Sequence, residues 1–305
     1  MIALAWIKPG MGMVDRFINL SGVIDAGISL IFFFYGLKLD PGKIRTGMSN
    51  WRMHLAIQVT TFFVFPLIVM PFFLIFNGTP YHIFWIGMFF LSALPSTVSS
   101  SVVMVSIARG NIPAAIFNAS ISGMIGIIVT PLWMGIFLKE SAGAADFSSV
   151  VMQLFTQIIV PVIAGLLLHR YFVKIVSHFR KQLATFDKTI ILLIVYESFS
   201  KSFMAGIFET VSWITLSFLF AGVISLFFLI LGFTRITSRV MHFNREDSIT
   251  MQFAASKKSL VHGSVFASVL FSGIPGSGVY LLPIMIYHAF QLFYISLLAR
   301  KLQGK

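Results

Sequence analysis

Cysteine is absent from this sequence of 305 residues, and charged residues are scarce. Without cysteine the chain can form neither disulfides nor thiolate metal sites, and it has no thiol nucleophile. Asp, Glu, Lys and Arg together make up 10% of the residues, whereas soluble globular domains carry about 25%. Hydrophobic residues make up 57% of the chain, and the mean hydropathy is +0.92. This composition excludes a soluble globular protein and indicates a membrane protein.

Acidic residues are especially few: 10 Asp and Glu stand against 22 Lys and Arg, which gives a formal net charge of +12. In a membrane protein such an excess belongs to the loops, so we do not interpret it as a nucleic-acid-binding surface. The sequence also lacks GxSxG, HExxH and phosphate-binding glycine-loop motifs. We therefore predict no cofactor, no metal site, no nucleic-acid partner and no enzymatic activity.

Long apolar runs predict an all-α polytopic membrane protein, because the strands of a membrane barrel would alternate in polarity. A transmembrane helix needs about 20 mostly apolar residues. Nine runs qualify as full spans, and an abbreviated first helix at 1–13, interrupted by Lys8 and Pro9, precedes them. The predicted spans are Val23–Leu37, His54–Phe76, His82–Ala108, Pro113–Leu138, Val150–His169, Thr189–Ile207, Val211–Phe233, Ser248–Phe271 and Val279–Ala299.

Basic residues are concentrated after the first, fifth, seventh and ninth predicted spans. With nine spans, these four segments lie on one side of the membrane, and the positive-inside rule places that side in the cytoplasm. The connections 77–81 and 141–149 contain no Lys or Arg. We expect a multi-pass protein of the cytoplasmic (inner) membrane with a cytoplasmic C-terminus. The oligomeric state does not follow from the sequence.

The adjacent residues Lys257 and Lys258 lie near the middle of the eighth predicted span. A charged side chain at mid-bilayer costs about 2.5–3.5 kcal/mol on insertion scales. Neighbouring residues of a helix point about 100° apart, so both lysines cannot easily reach one interface. We predict that the helix is broken here and that the lysines face protein or a water-filled cavity. Alternatively, the span is misplaced and the lysines bind lipid headgroups at its end.

A second interruption lies in the third predicted span, where Pro95 precedes the hydroxyl-rich stretch 96–101. Spans five to nine form a five-helix set, and the abbreviated helix with spans one to four forms another. Because each set crosses the membrane an odd number of times, the second set has the opposite orientation to the first. The interrupted helix is the fourth helix in each set. Paired interrupted helices indicate a binding site between inverted repeats of a transporter. The alternative for the first interruption is a kinked helix packed through small residues.

The two interruptions together can bind an anion. A half-helix that starts within the membrane exposes unpaired N–H groups and a positive dipole end, to which the lysines add full charges. Either lysine is also a candidate proton carrier. A Ser–Lys dyad of an intramembrane enzyme, drawn from Ser256 or Ser259, is the competing interpretation. The predicted substrate-binding residues are Thr97, Ser99, Ser100, Lys257, Lys258 and His288.

Several stretches of the chain resemble the bile acid:sodium symporter superfamily, in the branch related to solute carrier family ten, member seven, and its bacterial homologues. The resemblance covers essentially the whole chain, and its most specific part is Ser256-Lys-Lys-Ser-Leu260. The other matching stretches are Tyr35–Asp40, Leu94–Ser101, Gly110–Asn118, Thr130-Pro131 and Tyr287–Leu292.

This resemblance implies two inverted five-helix repeats whose discontinuous helices cross at the transport site. It also implies a panel domain and a core domain that rock about this crossover. The expected panel comprises residues 1–50 and 148–210, and the expected core comprises residues 51–140 and 211–302. On this resemblance, we expect the abbreviated first helix to correspond to a shortened form of the family's first helix.

The chain departs from the family at the cation sites, where sodium-coupled members coordinate two ions with oxygen-bearing side chains. Ser101 keeps an oxygen, but Gln252 replaces an acidic residue shared by both ions, and Ser256 replaces a glutamine. Three further ligand positions carry no side-chain oxygen: Val102, Ala115 and Ala119. These losses argue against sodium coupling. Lys257 stands at an asparagine position, and we hypothesise that the ammonium groups take the place of the sodium charge.

The leading hypothesis is a secondary active transporter that moves a small organic anion by alternating access, with proton coupling or with no coupling cation. Its partners would be the anionic substrate and the lipid bilayer. The branch that the chain resembles suggests a second hypothesis, a membrane regulator of calcium or cell-envelope homeostasis without classical transport. Loss of anion binding in Lys257→Ala and Lys258→Ala would favour the transporter, because a regulator has no need of these charges.

Overall fold

The computed structural model describes residues 1–9, 20–39, 50–97, 99–141, 152–272, 274 and 276–303. Within these ranges the regular secondary structure is entirely helical. The helices, in chain order, are α1 (Ile2–Ile7), α2 (Leu20–Lys38), α3 (Trp51–Phe76), α4 (His82–Ala93), α5 (Ser99–Ile107), α6 (Ile112–Ser141), α7 (Met152–His178), α8 (Arg180–Met204), α9 (Trp213–Val240), α10 (Arg245–Ala255), α11 (Leu260–Leu270) and α12 (Ser277–Gln303).

Six of these helices are long and apolar enough to cross a membrane: α2, α3, α6, α7, α9 and α12. The all-helical character that the apolar runs predict is therefore confirmed, and the long apolar helices are those expected of a polytopic membrane protein. Helix α4 is apolar but shorter. The count of nine spans and the inverted repeats stay predictions.

The contacts divide the chain into two compact units. Unit 1 comprises Met1–Asp40, Gly135–Ser212 and Ser264–Leu281, and unit 2 comprises Pro41–Met134, Trp213–Gly263 and Leu282–Lys305. All the residues predicted to bind substrate or to replace cation ligands belong to unit 2. The assignment of a moving panel and core, with the bounds implied by the resemblance, stays a prediction.

Unit 1 is built on a close contact between α2 and α7. A Cβ atom added to Gly36 would collide with the carbonyl oxygen of Val162, and one added to Gly165 would collide with that of Phe33. Two glycines thus let the backbones of the helices touch, which is a common way of packing helices in membranes. Helix α1 joins the same unit, because the Tyr196 hydroxyl donates a hydrogen bond of 2.6 Å to the Lys8 carbonyl.

Both predicted interruptions are present in unit 2. Helix α4 ends at Ala93, and the next residue, Leu94, is extended with ψ 151°. The proline that follows explains this, because a residue before proline disfavours the helical conformation. Helices α10 and α11 are separated by the four residues Ser256–Ser259. The third and eighth predicted spans are therefore each two short helices rather than one.

Helix α3 carries an irregularity that the sequence does not predict. Residues Thr60–Val64 form a π-helical turn, in which the N–H of Phe65 donates to the carbonyl of Thr60. The next donor in this pattern would be Pro66, which has no N–H. The carbonyl of Thr61 is therefore left without its helical partner. Such π-turns are rare and frequently lie at functional sites.

Candidate binding site at the interrupted helices

The two interruptions contact each other, and each supplies hydrogen bonds to the other. The N–H of Ser259 donates to the carbonyl of Pro95 at 2.9 Å. The Ser96 hydroxyl donates to the carbonyl of Ala254 at 2.6 Å, and the Ser96 N–H donates to the Ser122 hydroxyl at 2.9 Å. Backbone groups inside a membrane protein must be satisfied internally. These bonds allow two helices to be broken away from water.

Helix α12 supports the second interruption through two buried side chains. The Gln291 amide group receives a hydrogen bond of 2.9 Å from the N–H of Lys258 and donates one of 2.8 Å to the carbonyl of the same residue. The Tyr287 hydroxyl donates to the Ser256 carbonyl at 2.6 Å. Gln291 and Tyr287 are both fully buried. The glutamine therefore replaces both partners that the Lys258 backbone would have in a continuous helix.

The Lys258 ammonium is completely surrounded by protein. Its Nζ donates to the carbonyls of Thr61, Ser92 and Leu94, each at 2.7 Å. It also lies 4.0 Å from the centroid of the Phe65 ring, within the range of a cation–π interaction. A protonated lysine has three N–H donors, and three acceptors surround this one. Lys258 is fully buried, and these contacts fix the position of its amino group.

The Lys257 ammonium has fewer partners although the residue is equally buried. Its Nζ donates to the Ser100 carbonyl at 2.7 Å and lies 3.5 Å from the Ser100 hydroxyl. That hydroxyl donates in turn to the Thr97 Oγ1 at 3.3 Å. Within the described part of the chain, these contacts leave one N–H of the ammonium without a protein acceptor. The structure thus brings Lys257, Thr97 and Ser100 together, and their role in binding an anion stays a prediction.

The remaining predicted substrate ligands are placed less directly. His288 is half-buried, and its Nδ1 lies 2.9 Å from Nε2 of Gln291, the residue that holds the Lys258 backbone. Ser99 is the first residue of α5, but its side chain lies outside the described residues. The roles of His288 and Ser99 in substrate binding stay predictions.

The three equivalents of cation ligands all make hydrogen bonds within the protein. The Ser101 hydroxyl lies 3.5 Å from the carbonyl of Phe253. The side-chain oxygen of Gln252 accepts a hydrogen bond of 3.2 Å from Arg235, a residue that the sequence analysis placed in a loop but that lies within α9. The Ser256 hydroxyl donates to the Gln252 carbonyl at 2.5 Å. The positive charge of Arg235 beside Gln252 is unfavourable for a cation at this position.

The Ser–Lys dyad considered above does not form. The Ser256 hydroxyl bonds to a carbonyl, and the Ser259 hydroxyl lies 3.0 Å from Nδ1 of His262. Both lysine ammonium groups bond mainly to main-chain carbonyls. Among the described residues, neither Lys257 nor Lys258 is hydrogen-bonded to Ser256 or Ser259 through its ammonium group.

Comparisons with known proteins identify the family of the chain. The model of the SBF-like CPA transporter family matches residues 1–304. The Pseudomonas aeruginosa protein PA2026 is 36% identical over 279 residues, which cover 92% of this chain and 84% of that protein. YfeH of Escherichia coli is 34% identical over 305 residues, covering 98% and 89% of the two chains.

A vertebrate relative extends the comparison. Sodium/bile acid cotransporter 7 of Xenopus tropicalis is 30% identical over 274 residues, which cover 89% of this chain and 79% of that protein. The resemblance seen first at Ser256-Lys-Lys-Ser-Leu260 is confirmed over the whole chain, and the prediction that the protein is not an enzyme agrees with a family of transporters. The chain belongs to the SBF-like CPA transporter family.

Proposed function

We propose that this member of the family is a secondary active transporter that moves a small organic anion by alternating access. The observation that carries the proposal is the buried ammonium of Lys257, which lies where two broken helices meet. One of its N–H groups has no acceptor among the described residues. A lone buried charge is costly, and an arriving anion lowers that cost. The name of the Xenopus relative, a bile acid cotransporter, supports the choice of an anionic organic substrate.

The proposed binding group on the substrate is a carboxylate, sulfate or phosphate. Lys257 would donate to it directly, together with the hydroxyls of Thr97 and Ser100. Ser99 and the N-terminal turn of α5 would add donors and a positive dipole end. Lys258 would act through its charge, since its three N–H groups are already bound to carbonyls. His288 would line the site through its contact with Gln291.

We further propose that transport does not depend on sodium. The oxygens of Ser101, Gln252 and Ser256 are engaged in hydrogen bonds within the protein, and Arg235 donates to Gln252. Two buried ammonium groups already supply the positive charge that a bound cation would provide. Proton coupling through Lys257 is compatible with this arrangement, because a proton could leave or join its ammonium as the anion binds.

The proposed mechanism requires two bodies that move relative to each other in a membrane. The expected panel of residues 1–50 and 148–210 and the expected core of residues 51–140 and 211–302 would rock about the interrupted helices. The location in the inner membrane, with a cytoplasmic C-terminus, is part of the same proposal. It rests on the distribution of basic residues.

Uptake into proteoliposomes tests the proposed function. Purified full-length protein would be reconstituted and supplied with radiolabelled taurocholate, a steroid sulfate and a small dicarboxylate, in sodium chloride or in choline chloride. We expect saturable uptake of at least one anion, equal in both salts and absent in Lys257→Met. A strict requirement for sodium would contradict the coupling proposal. Failure to transport any anion would favour the regulatory hypothesis.

A further inference from the structure

The surroundings of Lys258 have the composition of a cation site rather than that of an ion pair. Its three acceptors are main-chain carbonyls, and the centroid of the Phe65 ring lies 4.0 Å from its Nζ. Carbonyl oxygens and aromatic faces are the groups with which proteins bind dehydrated monovalent cations. Among the described residues, the ion pairs found are Lys38–Asp187 and Lys201–Glu197, so no carboxylate neutralises this ammonium.

The carbonyls of Thr61, Ser92 and Leu94 form a cage around the ammonium. Each of them is available because its usual hydrogen-bond donor is missing. The carbonyl of Thr61 lies opposite Pro66 in the π-helical pattern of α3. The carbonyl of Ser92 would accept from Ser96 in a continuous helix, but the Ser96 N–H donates to Ser122 instead. The carbonyl of Leu94 comes after the end of α4, where the chain is already extended. The cage is therefore formed by backbone irregularities of two separate elements.

We infer that the carbonyls of Thr61, Ser92 and Leu94 form a monovalent-cation site, which the chain occupies with its own Lys258 ammonium. The side chain enters this site from the second interruption and so ties α3 and α4 to the segment between α10 and α11. Removal of the side chain beyond Cβ leaves the carbonyls in place with space for a free ammonium-like cation. The inference concerns the cage alone and does not depend on which substrate is transported.

Thermal unfolding of the purified full-length protein tests the inference. Wild type, Lys258→Ala and Lys258→Met would be compared in chloride salts of choline, sodium, potassium, ammonium and methylammonium at one ionic strength. We expect both variants to unfold at lower temperature than wild type in choline. Ammonium, methylammonium or potassium should raise the Tm of Lys258→Ala saturably, by about 2–4 °C or more. Wild type should not respond, and neither should Lys258→Met, in which the thioether side chain fills the space without charge.

Two results would overturn the inference. One is a Lys258→Ala variant whose Tm is the same in choline chloride as in the chloride salts of the small cations. The other is a Lys258→Met variant as stable as wild type, because the carbonyls would then need no cation. If Lys258→Ala cannot be purified, Lys258→Met is compared with Lys257→Met. Equal stability of these two variants contradicts the inference. A lower Tm or a lower folded yield for Lys258→Met supports it. No transport is measured, so failure of the transport proposal leaves this test intact.

Discussion

Lys257 and Lys258 are neighbours in the sequence, but their ammonium groups have different surroundings. Lys258 donates to three carbonyls from α3 and the end of α4, whereas Lys257 donates mainly to Ser100. Among the described residues, the three N–H groups of Lys258 therefore all have acceptors, whereas one N–H of Lys257 has none. The anion would contact Lys257 and experience the charge of Lys258 from a distance.

Ser96→Ala tests the bonds that hold the two interruptions together. The substitution leaves the buried carbonyl of Ala254 without its donor at 2.6 Å. We expect the free energy of unfolding to fall by about 1–3 kcal/mol, which is the usual cost of an unsatisfied buried polar group. Reversible unfolding in denaturant and mild detergent would measure it.

The matched control for this prediction is Ser217→Ala. Ser217 is exposed, and its hydroxyl donates to the carbonyl of Trp213 one turn earlier in its own helix. Its substitution should change the free energy of unfolding by no more than about 0.5 kcal/mol. Equal effects of the two substitutions would show that the bond from Ser96 is not important for the site.

The identity of the unusual residues could be predicted from the sequence, but their partners could not. The insertion cost of two adjacent charges is enough to single out Lys257 and Lys258 within an apolar run. Nothing local reveals that Thr61 provides one of the carbonyls, because this depends on the π-helical turn and on a contact with a residue 197 positions away. Gln291 bonds to both the N–H and the carbonyl of Lys258, and this likewise depends on packing alone.

At the scale of helices, the first interruption is supported by a close contact with α6. A Cβ atom at Gly126 would lie 2.7 Å from two atoms of the Pro95 ring. The glycine allows α6 to approach the proline at the point where the chain leaves α4. The hydroxyl of Thr130, one turn further along, donates to the carbonyl of Ala93 at 2.8 Å. Helix α6 therefore fixes the position of the interruption as well as packing against it.

Gly126→Ala tests this role of α6. The added methyl group would force the proline or the helix to move, and overpacking of this kind costs about 1–3 kcal/mol. We expect the free energy of unfolding to fall by that amount and anion binding to weaken. Denaturant unfolding and binding of a labelled anion would measure the two effects.

Gly232→Ala is the control, since Gly232 also lies inside a long helix, but an added Cβ would have no described residue outside the neighbouring helix backbone within 4 Å. This substitution should be neutral, or stabilising by up to about 1 kcal/mol through the higher helix propensity of alanine. A Gly126→Ala variant that behaves like Gly232→Ala would contradict the proposed packing.

The interruptions at this scale follow from the sequence because proline and charge are local signals. Pro95 predicts the end of α4, and the lysine pair predicts the gap between α10 and α11. The π-helical turn at Thr60–Val64 could not be predicted, since Pro66 is also compatible with a simple kink. The sequence also predicts too short a helix α9, because Arg235 follows an apolar run and resembles the start of a loop.

At the scale of the whole molecule, the orientation in the membrane rests on the distribution of basic residues. The absence of cysteine makes this directly testable, since one introduced cysteine is the only thiol in the chain. Asn77 is exposed between α3 and α4, and Lys181 is exposed at the start of α8. By the positive-inside rule these two positions lie on opposite sides.

Asn77→Cys and Lys181→Cys should therefore differ in their reaction with a membrane-impermeant maleimide. In spheroplasts of the expressing bacterium, we expect Asn77→Cys to be labelled. Lys181→Cys should be labelled only after the membrane is permeabilised. Labelling of Lys181→Cys but not of Asn77→Cys in intact spheroplasts would contradict the predicted orientation. Labelling of both variants would contradict the number of crossings between the two positions.

The central claim is that a buried lysine charge at the meeting point of two broken helices binds the transported anion. Equilibrium binding measures it most directly, with the labelled anion of greatest uptake titrated into purified protein in choline chloride. We predict that Lys257→Met weakens the affinity by about 10- to 100-fold, the equivalent of a lost charged hydrogen bond, and that the exposed-site control Lys181→Met leaves it unchanged. Unaltered affinity of Lys257→Met, with the variant folded as wild type, would contradict the account.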